Sequence, residues 1–335
     1  MRPYFPALTS RFGDLVKRLE GRRCVVVGHA RPDGDCIGSQ VALARALAGR
    51  GIEAVCVNAD PVPRRLKFLL GDTPFVSVES LLPRASEYAA LFVDCADHGR
   101  AGERLRSAFP RPVAAIDHHL SNEGFAEENF IDSSSAATCE ILAGLFIECG
   151  LPIDRDCAAA LYAGILTDTG QFRFNSTTRL TFELASELLS RGVDPADVAY
   201  HVYERESLGK IRLLQRFLST LAMECGGRVC IGRLPLGVFE ETGTSAEDTE
   251  GLVDYARMID GVDIGVLIEE RGDNTVKASL RSKDPAYRVD LVAAEFGGGG
   301  HACAAGLNLK KNAEGFYQRL VAVLEHRIAA VDAGH

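Results

Sequence analysis

Four short apolar runs, each followed by a longer mixed segment, constrain the first half of this 335-residue chain more than any other feature. They are Val25-Val26-Val27, residues 54–57, Leu91-Phe92-Val93 and residues 113–116. Runs this short and this uniformly apolar, set between helical patterns, predict strands buried on both faces. The expected fold class is therefore α/β, with an N-terminal mostly parallel sheet flanked by helices. Residues 37–48 read as the helix after the first strand, and periodic patterns over 136–149, 157–167 and 181–190 add further helices.

A turn signal at Arg191-Gly192-Val193-Asp194-Pro195 closes that region, and Asp194-Pro195 can start another helix. Leu208, Ile211, Leu214, Leu218 and Leu221 then recur at helical spacing, the pattern expected of a linker helix between two bodies. The predicted organisation is a catalytic domain over 1–191, a helical linker over 192–220 and a smaller C-terminal α/β domain over 221–335. In the last of these, strands are expected over 228–234, 264–270 and 275–281, with helices over 246–259, 289–296 and 313–328.

Charge and cysteine usage narrow the functional classes. A formal net charge of −9 argues against a broad basic surface for long duplex nucleic acid, while a short anionic substrate remains compatible with it. The first twenty residues are charged throughout and no later stretch is continuously apolar, so neither a signal peptide nor a membrane span is expected. Ten cysteines occur without a C-x-x-C pair, and Cys24 and Cys56 sit in apolar runs as small hydrophobes. The expectation is a reducing cytoplasm.

The richest stretch is Gly28-His29-Ala30-Arg31-Pro32-Asp33-Gly34-Asp35-Cys36-Ile37-Gly38-Ser39, between the first predicted strand and its helix. Ligands of open parallel sheets collect where strands end and loops lead into helices. Pro32 and Gly34 bend the backbone so that two carboxylates can point into one cavity, although capping and turn formation would use the same aspartates. Asp94 ends the Leu91-Phe92-Val93 run and Asp117-His118-His119 ends the run at 113–116, so three strand ends deliver acid or imidazole to one sheet edge. Asp168 follows an apolar helix within Thr167-Asp168-Thr169-Gly170. Clustered buried carboxylates repel and protonate unless a cation compensates them. Histidine with carboxylate and no cysteine suits manganese, magnesium, iron or cobalt better than structural zinc. Six such ligands suit two ions sharing a carboxylate, the usual apparatus of phosphoester hydrolysis. In the second domain, Gly297-Gly298-Gly299-Gly300-His301 reads as a glycine loop before a small-residue helix start, where backbone N–H groups can approach phosphate or carboxylate. Arg281, on the polar face of its predicted strand, could reach the same anion.

In these residues the sequence resembles the DHH phosphoesterase family, whose triad is matched by Asp117-His118-His119. The G-H-x-x-P-D-G-D-x-x-G-S segment, Asp94 and Thr-Asp-Thr-Gly occur in the family's order, and Gly297 to His301 resembles the glycine-histidine motif of the DHH-associated C-terminal domain. The resemblance spans roughly residues 20 to 310. It implies that His29, Asp33 and Asp94 hold one divalent metal ion, most simply manganese, and that Asp35, Asp94, His118 and Asp168 hold a second. It also implies that Asp117 orients imidazole, that His119 faces the scissile phosphate as donor or acid, and that Arg281, Gly299, Gly300 and His301 hold the substrate. Of the family's branches, the plan resembles the stand-alone one, which degrades very short RNA and dephosphorylates pAp (adenosine 3′,5′-bisphosphate). The serine-arginine-lysine-lysine signature of family II pyrophosphatases is absent. The expected substrates are di- to pentanucleotide RNA, linear pGpG included, and pAp. A cyclic-dinucleotide phosphodiesterase and a non-catalytic nucleotide-binding protein are the alternatives, and a homodimer is left open.

Overall fold

The computed structural model describes residues 3–272, 275–310 and 313–334. The chain divides into two compact units, Met1–Arg205 and Glu206–His335. The division falls inside the 192–220 segment.

The first unit is built on a five-stranded sheet of order β2-β1-β3-β4-β5, with β1 at Arg23–Val27, β2 at Ala54–Val57, β3 at Tyr88–Val93, β4 at Ala114–Asp117 and β5 at Glu128–Ile131. Every pairing in it is parallel. Side chains alternate along each strand, so the apolar runs feed two cores. Val26, Leu91, Val93 and Ile116 face one, with helices Gly34–Ala48, Thr138–Cys149 and Arg155–Asp168, while Val25, Val27, Phe92 and Ala115 face the other. This is why the strands lack polar alternation.

Two elements carry no continuous apolar run. The helix Pro6–Leu19 buries only Phe12, Leu15, Val16 and Leu19, an i, i+3, i+4, i+7 stripe interrupted by charges. The strand β5 is a polar edge whose single buried side chain is Phe130.

The second unit carries a six-stranded mixed sheet of order β10-β11-β9-β8-β7-β6. Its strands are β6 at Ala222–Glu224, β7 at Val229–Leu234, β8 at Ile264–Arg271, β9 at Thr275–Ser282, β10 at Gly299–His301 and β11 at Ala304–Lys310. Three expectations need correction here. The helix Leu208–Leu218 belongs to this unit and buries Leu213 and Phe217, leaving Leu208, Ile211 and Leu218 exposed. Packing against Leu234 and Cys230 selects a face that the leucine spacing did not indicate. The helix expected over 246–259 is split by Gly251, at φ 83°, into a turn at Ala246–Thr249 and a short helix Leu252–Arg257. The glycine run does not lead into a helix. It forms β10, which hairpins onto β11, because Ala305, Leu307 and Leu309 alternate with Gly306, Asn308 and Lys310 as a strand requires. A side chain at Gly298 would meet Gly306 O at 2.4 Å and one at Gly300 would meet Ala304 O at 2.4 Å, so this hairpin needs glycine at both.

Candidate metal centre

The parallel register brings the carboxyl ends of β1, β3 and β4 to one edge. Val27 pairs with Phe92 and Val93 with Ile116, so Gly28-His29, Asp94 and Asp117-His118 emerge side by side. Gly28 lets helix Gly34–Ala48 turn back tightly, since a Cβ there would lie 2.4 Å from Cys36 Sγ and 2.6 Å from Asn58 Nδ2. His29 is 3% exposed. Its Nδ1 lies 2.8 Å from the Ala30 carbonyl, which only an N–H can satisfy, so Nε2 faces Asp94 Oδ2 at 3.4 Å and Asp33 Oδ1 at 3.6 Å. Asp33 also caps the helix by accepting from Cys36 N at 3.1 Å. Cap and ligand candidate are the same carboxylate.

Asp35, fully buried in the first turn of that helix, accepts from the backbone N–H groups of Thr138 at 2.6 Å and Cys139 at 2.9 Å. These are the unpaired donors that open helix Thr138–Cys149, whose own cap position, Ala137, has no side-chain acceptor. Asp94 takes up the left-handed conformation at φ 57°, which for a residue with a side chain costs about 1–3 kcal/mol. Its two oxygens face different neighbours. Oδ2 faces His29, while Oδ1 accepts from Thr138 Oγ1 at 3.1 Å and lies 3.7 Å from His118 Nε2. His118 Nε2 is also 3.4 Å from Asp168 Oδ2 and 4.0 Å from Asp35 Oδ2. Asp168 arrives on the last turn of helix Arg155–Asp168. That helix approaches closely because a side chain at Gly34 would strike Thr167 Oγ1 at 2.4 Å, and one at Gly164 would strike Cys139 Sγ at 2.3 Å.

Donor atoms thus gather into overlapping sets. His29, Cys36 and Asp94 form one, Asp35, His118 and Asp168 another, and Asp94 with His118 and His119 a third, with the atoms of each set within 4.8 Å of one another. The electrostatics ask for positive charge at the same place. Burial, and then the Asp94 charge, push the Asp35 carboxyl up to about 7, and burial followed by Asp35, Asp33 and Asp94 raise Asp168 well above the usual range. Burial alone would pull the His29 imidazolium down, yet the Asp33 and Asp94 carboxylates more than reverse it. Oxygen and imidazole donors around shared negative charge suit divalent cations, so the residues fit the group that the motif pattern implies.

Asp117 stands outside these sets. Its Oδ1 accepts from His119 Nδ1 at 2.7 Å and its Oδ2 from Asn122 Nδ2 at 2.7 Å, and Asn122 also donates to Cys95 O at 3.0 Å. The Asp117 hydrogen bond is the main reason why His119 holds its proton more tightly than a free histidine. The sequence alone does not single out Thr138, Asn122 or Cys36. Cys36 lies inside the metal motif, whereas Asn122 and Thr138 carry no local signal, because their partners are set by tertiary contacts.

In the second unit Arg281 pairs with Ala304 across β9 and β11, and Ala304 pairs with His301 across β11 and β10. Directly paired residues share a sheet face, so Arg281 and His301 stand in one row with only an alanine methyl between them. Gly299, Gly300 and His301 are exposed, and Arg281 Nη1 donates to its neighbour's carbonyl, Leu280 O, at 3.0 Å. The donor sets contain five of the six metal-ligand candidates; Asp33 is in none of them, its Oδ1 lying 3.6 Å from His29 Nε2. In the second unit Arg281 stands in a row with His301.

Comparison with known proteins places one family match within each unit. The sequence profile described as DHH family, N-terminal domain, matches residues 23–165, and that of the DHHA1 domain matches residues 226–330. The bifunctional oligoribonuclease and PAP phosphatase NrnA of Thermus thermophilus is 35% identical over 89% of this chain and 87% of its own length. The Bacillus subtilis protein of the same name is 27% identical over 84% of this chain and 87% of its own. Among solved structures, an exopolyphosphatase-related protein from Bacteroides fragilis superposes with a TM-score of 0.87 at 26% identity, covering 95% of this chain and 96% of that one.

Proposed function

The chain belongs to the DHH family, and on that premise we propose that it is a two-metal phosphoesterase that cleaves very short oligoribonucleotides, linear pGpG included, and dephosphorylates pAp. The observation that carries this reading is Asp94, whose two oxygens face two different donor sets. Relatives named oligoribonuclease and PAP phosphatase along nearly their whole length support the substrate class.

In this reading His29, Asp33 and Asp94 hold one cation, and Asp35, Asp94, His118 and Asp168 hold the other, with manganese as the proposed ion. Two such cations neutralise carboxylate charge, polarise phosphoryl oxygens and make water acidic enough to supply a nucleophile near neutral pH. The protein's own groups do the rest. Asp117 fixes one ring nitrogen of His119, which orients the other to donate to a phosphate oxygen or leaving group. Arg281 and His301, in their shared row, offer charge to a terminal phosphate, and the bare backbone of Gly299 and Gly300 gives it room. A cytoplasmic location is part of the proposal. All ten cysteines are free thiols, and among the described residues no helix is long and apolar enough to cross a membrane.

The test is turnover with manganese on labelled dinucleotides, pAp and cyclic dinucleotides, for the wild type and Asp94→Ala. Hydrolysis of the linear substrates and pAp, abolished in the variant, supports the reading. Turnover of cyclic dinucleotides alone would reassign the substrate. Metal-independent nucleotide affinity that survives Asp94→Ala, with no turnover in either protein, would make this a binding module.

A further inference from the structure

One side chain in the candidate centre is unlike the rest. Cys36 is fully buried in the first turn of helix Gly34–Ala48, and its Sγ lies within 4.8 Å of ligand atoms of both His29 and Asp94. Donors about 2.0–2.3 Å from one cation sit about 3–4.5 Å apart, so a modest inward movement would place all three around a single ion. The sulfur is also prepared from behind. Asn58 Nδ2 points at it from 3.8 Å, and Gln40, whose Nε2 is held by the carbonyls of Val26 and Val57, turns its Oε1 toward the same sulfur at 4.0 Å. The acceptor suits an S–H and the amide donor suits a thiolate, so both forms of the sulfur have a partner. The absence of a side chain at Gly28 keeps this space open.

We propose that Cys36 is a sulfur ligand of the cation held by His29 and Asp94, which makes that position selective for thiophilic ions such as zinc, cobalt, ferrous iron or cadmium over magnesium. The inference rests on the two-metal reading and adds a ligand to it. As the sulfur–metal bond forms, the thiol proton passes to solvent, so the cation takes up a thiolate. A soft donor raises affinity for soft cations far more than for manganese or magnesium. The two positions of the centre would then differ, one with a sulfur donor and the other with oxygen and imidazole alone.

The experiment is cadmium and cobalt titration of the metal-stripped full chain, read by thiolate-to-metal charge-transfer absorption, alongside manganese stoichiometry. Cys36→Ser is the variant and Cys139→Ser the control, because Cys139 is also buried beside the centre, where its N–H donates to Asp35. The wild type and Cys139→Ser are expected to show the band at one equivalent, and Cys36→Ser to lack it. Cys36→Ser is also expected to lose on the order of tenfold or more in cadmium affinity relative to manganese. Two manganese ions bound per chain with no band in the wild type, or a band that survives Cys36→Ser, would overturn the sulfur ligand and leave the two-metal reading standing. Fewer than two manganese ions in the wild type would instead remove the reading beneath it.

Discussion

Asp117 and Asn122 show how a single hydrogen bond can matter at a distance from the candidate metal ligands. Asp117 is 1% exposed and outside the donor sets, yet it accepts from both His119 and Asn122. If it oriented nothing, burying its charge would be a cost without return. Asn122→Ala removes the amide that ties Asp117 to Cys95 O and leaves the metal-facing carboxylates untouched. Turnover is expected to fall about 10–100-fold, the usual cost of losing an orienting partner, while two manganese ions still bind. Steady-state kinetics beside metal analysis checks this, and lost metal rather than lost turnover would count against the orienting role. Glu140 gives a second prediction at this scale. Its Oε2 accepts from Thr181 Oγ1 at 2.8 Å, its Oε1 has no partner among the described residues, and burial raises its carboxyl above the usual range. A raised folded value means that the contribution of Glu140 to stability is fully present below the unfolded glutamate range and is lost as pH rises through the folded one. Glu140→Gln has no proton to lose, so denaturation midpoints measured from pH 5 to 8 should fall less steeply than in the wild type. A variant slope as steep as the wild type's would assign the pH dependence to other groups.

At the scale of elements, the centre depends on two helices packed more closely than side chains usually allow. A Cβ at Gly38 would lie 2.4 Å from the Ala160 carbonyl oxygen and 3.0 Å from Cys139 Sγ. The carbonyl belongs to helix Arg155–Asp168, which ends in Asp168, and Gly38 belongs to the helix whose first turn holds Asp35. Gly38→Val is therefore expected to cost about 1–3 kcal/mol by overpacking and to reduce turnover further than that loss explains, because it pushes Asp35 and Asp168 apart. Urea denaturation with activity measured in the folded baseline distinguishes the two effects. A variant as stable and as active as the wild type would show that this close approach is dispensable.

For the whole molecule, each unit has its own sheet and its own buried clusters. The candidate metal ligands all lie in the first, within an acidic chain of net charge −9. Cations that bind the folded state stabilise it, by about 2.7 kcal/mol at a hundredfold excess over the dissociation constant. Manganese is expected to slow hydrogen exchange in β1, β3 and β4 and in the helices that bring Asp35 and Asp168, and to leave β7 and β8 unchanged. Peptide-resolved exchange with and without chelator measures this, and equal protection of both units would contradict a centre confined to one.

The sequence by itself determined the strands with uninterrupted apolar runs, the loops at their carboxyl ends and the identity of the acids and imidazoles there, because burial on both faces and strand-end chemistry leave local marks. It could not show β5 or the first helix, whose apolar content is one residue or one broken stripe. It also misread the glycine run, since the same small residues open a helix or pair as a hairpin according to what packs against them. Only the tertiary structure decided that Asp35 would cap a helix a hundred residues away, that Asp94 would divide its oxygens between two donor sets, and that a cysteine would join one of them. Those outcomes are fixed by parallel register and by glycine-permitted helix contacts, which join residues that no local pattern relates.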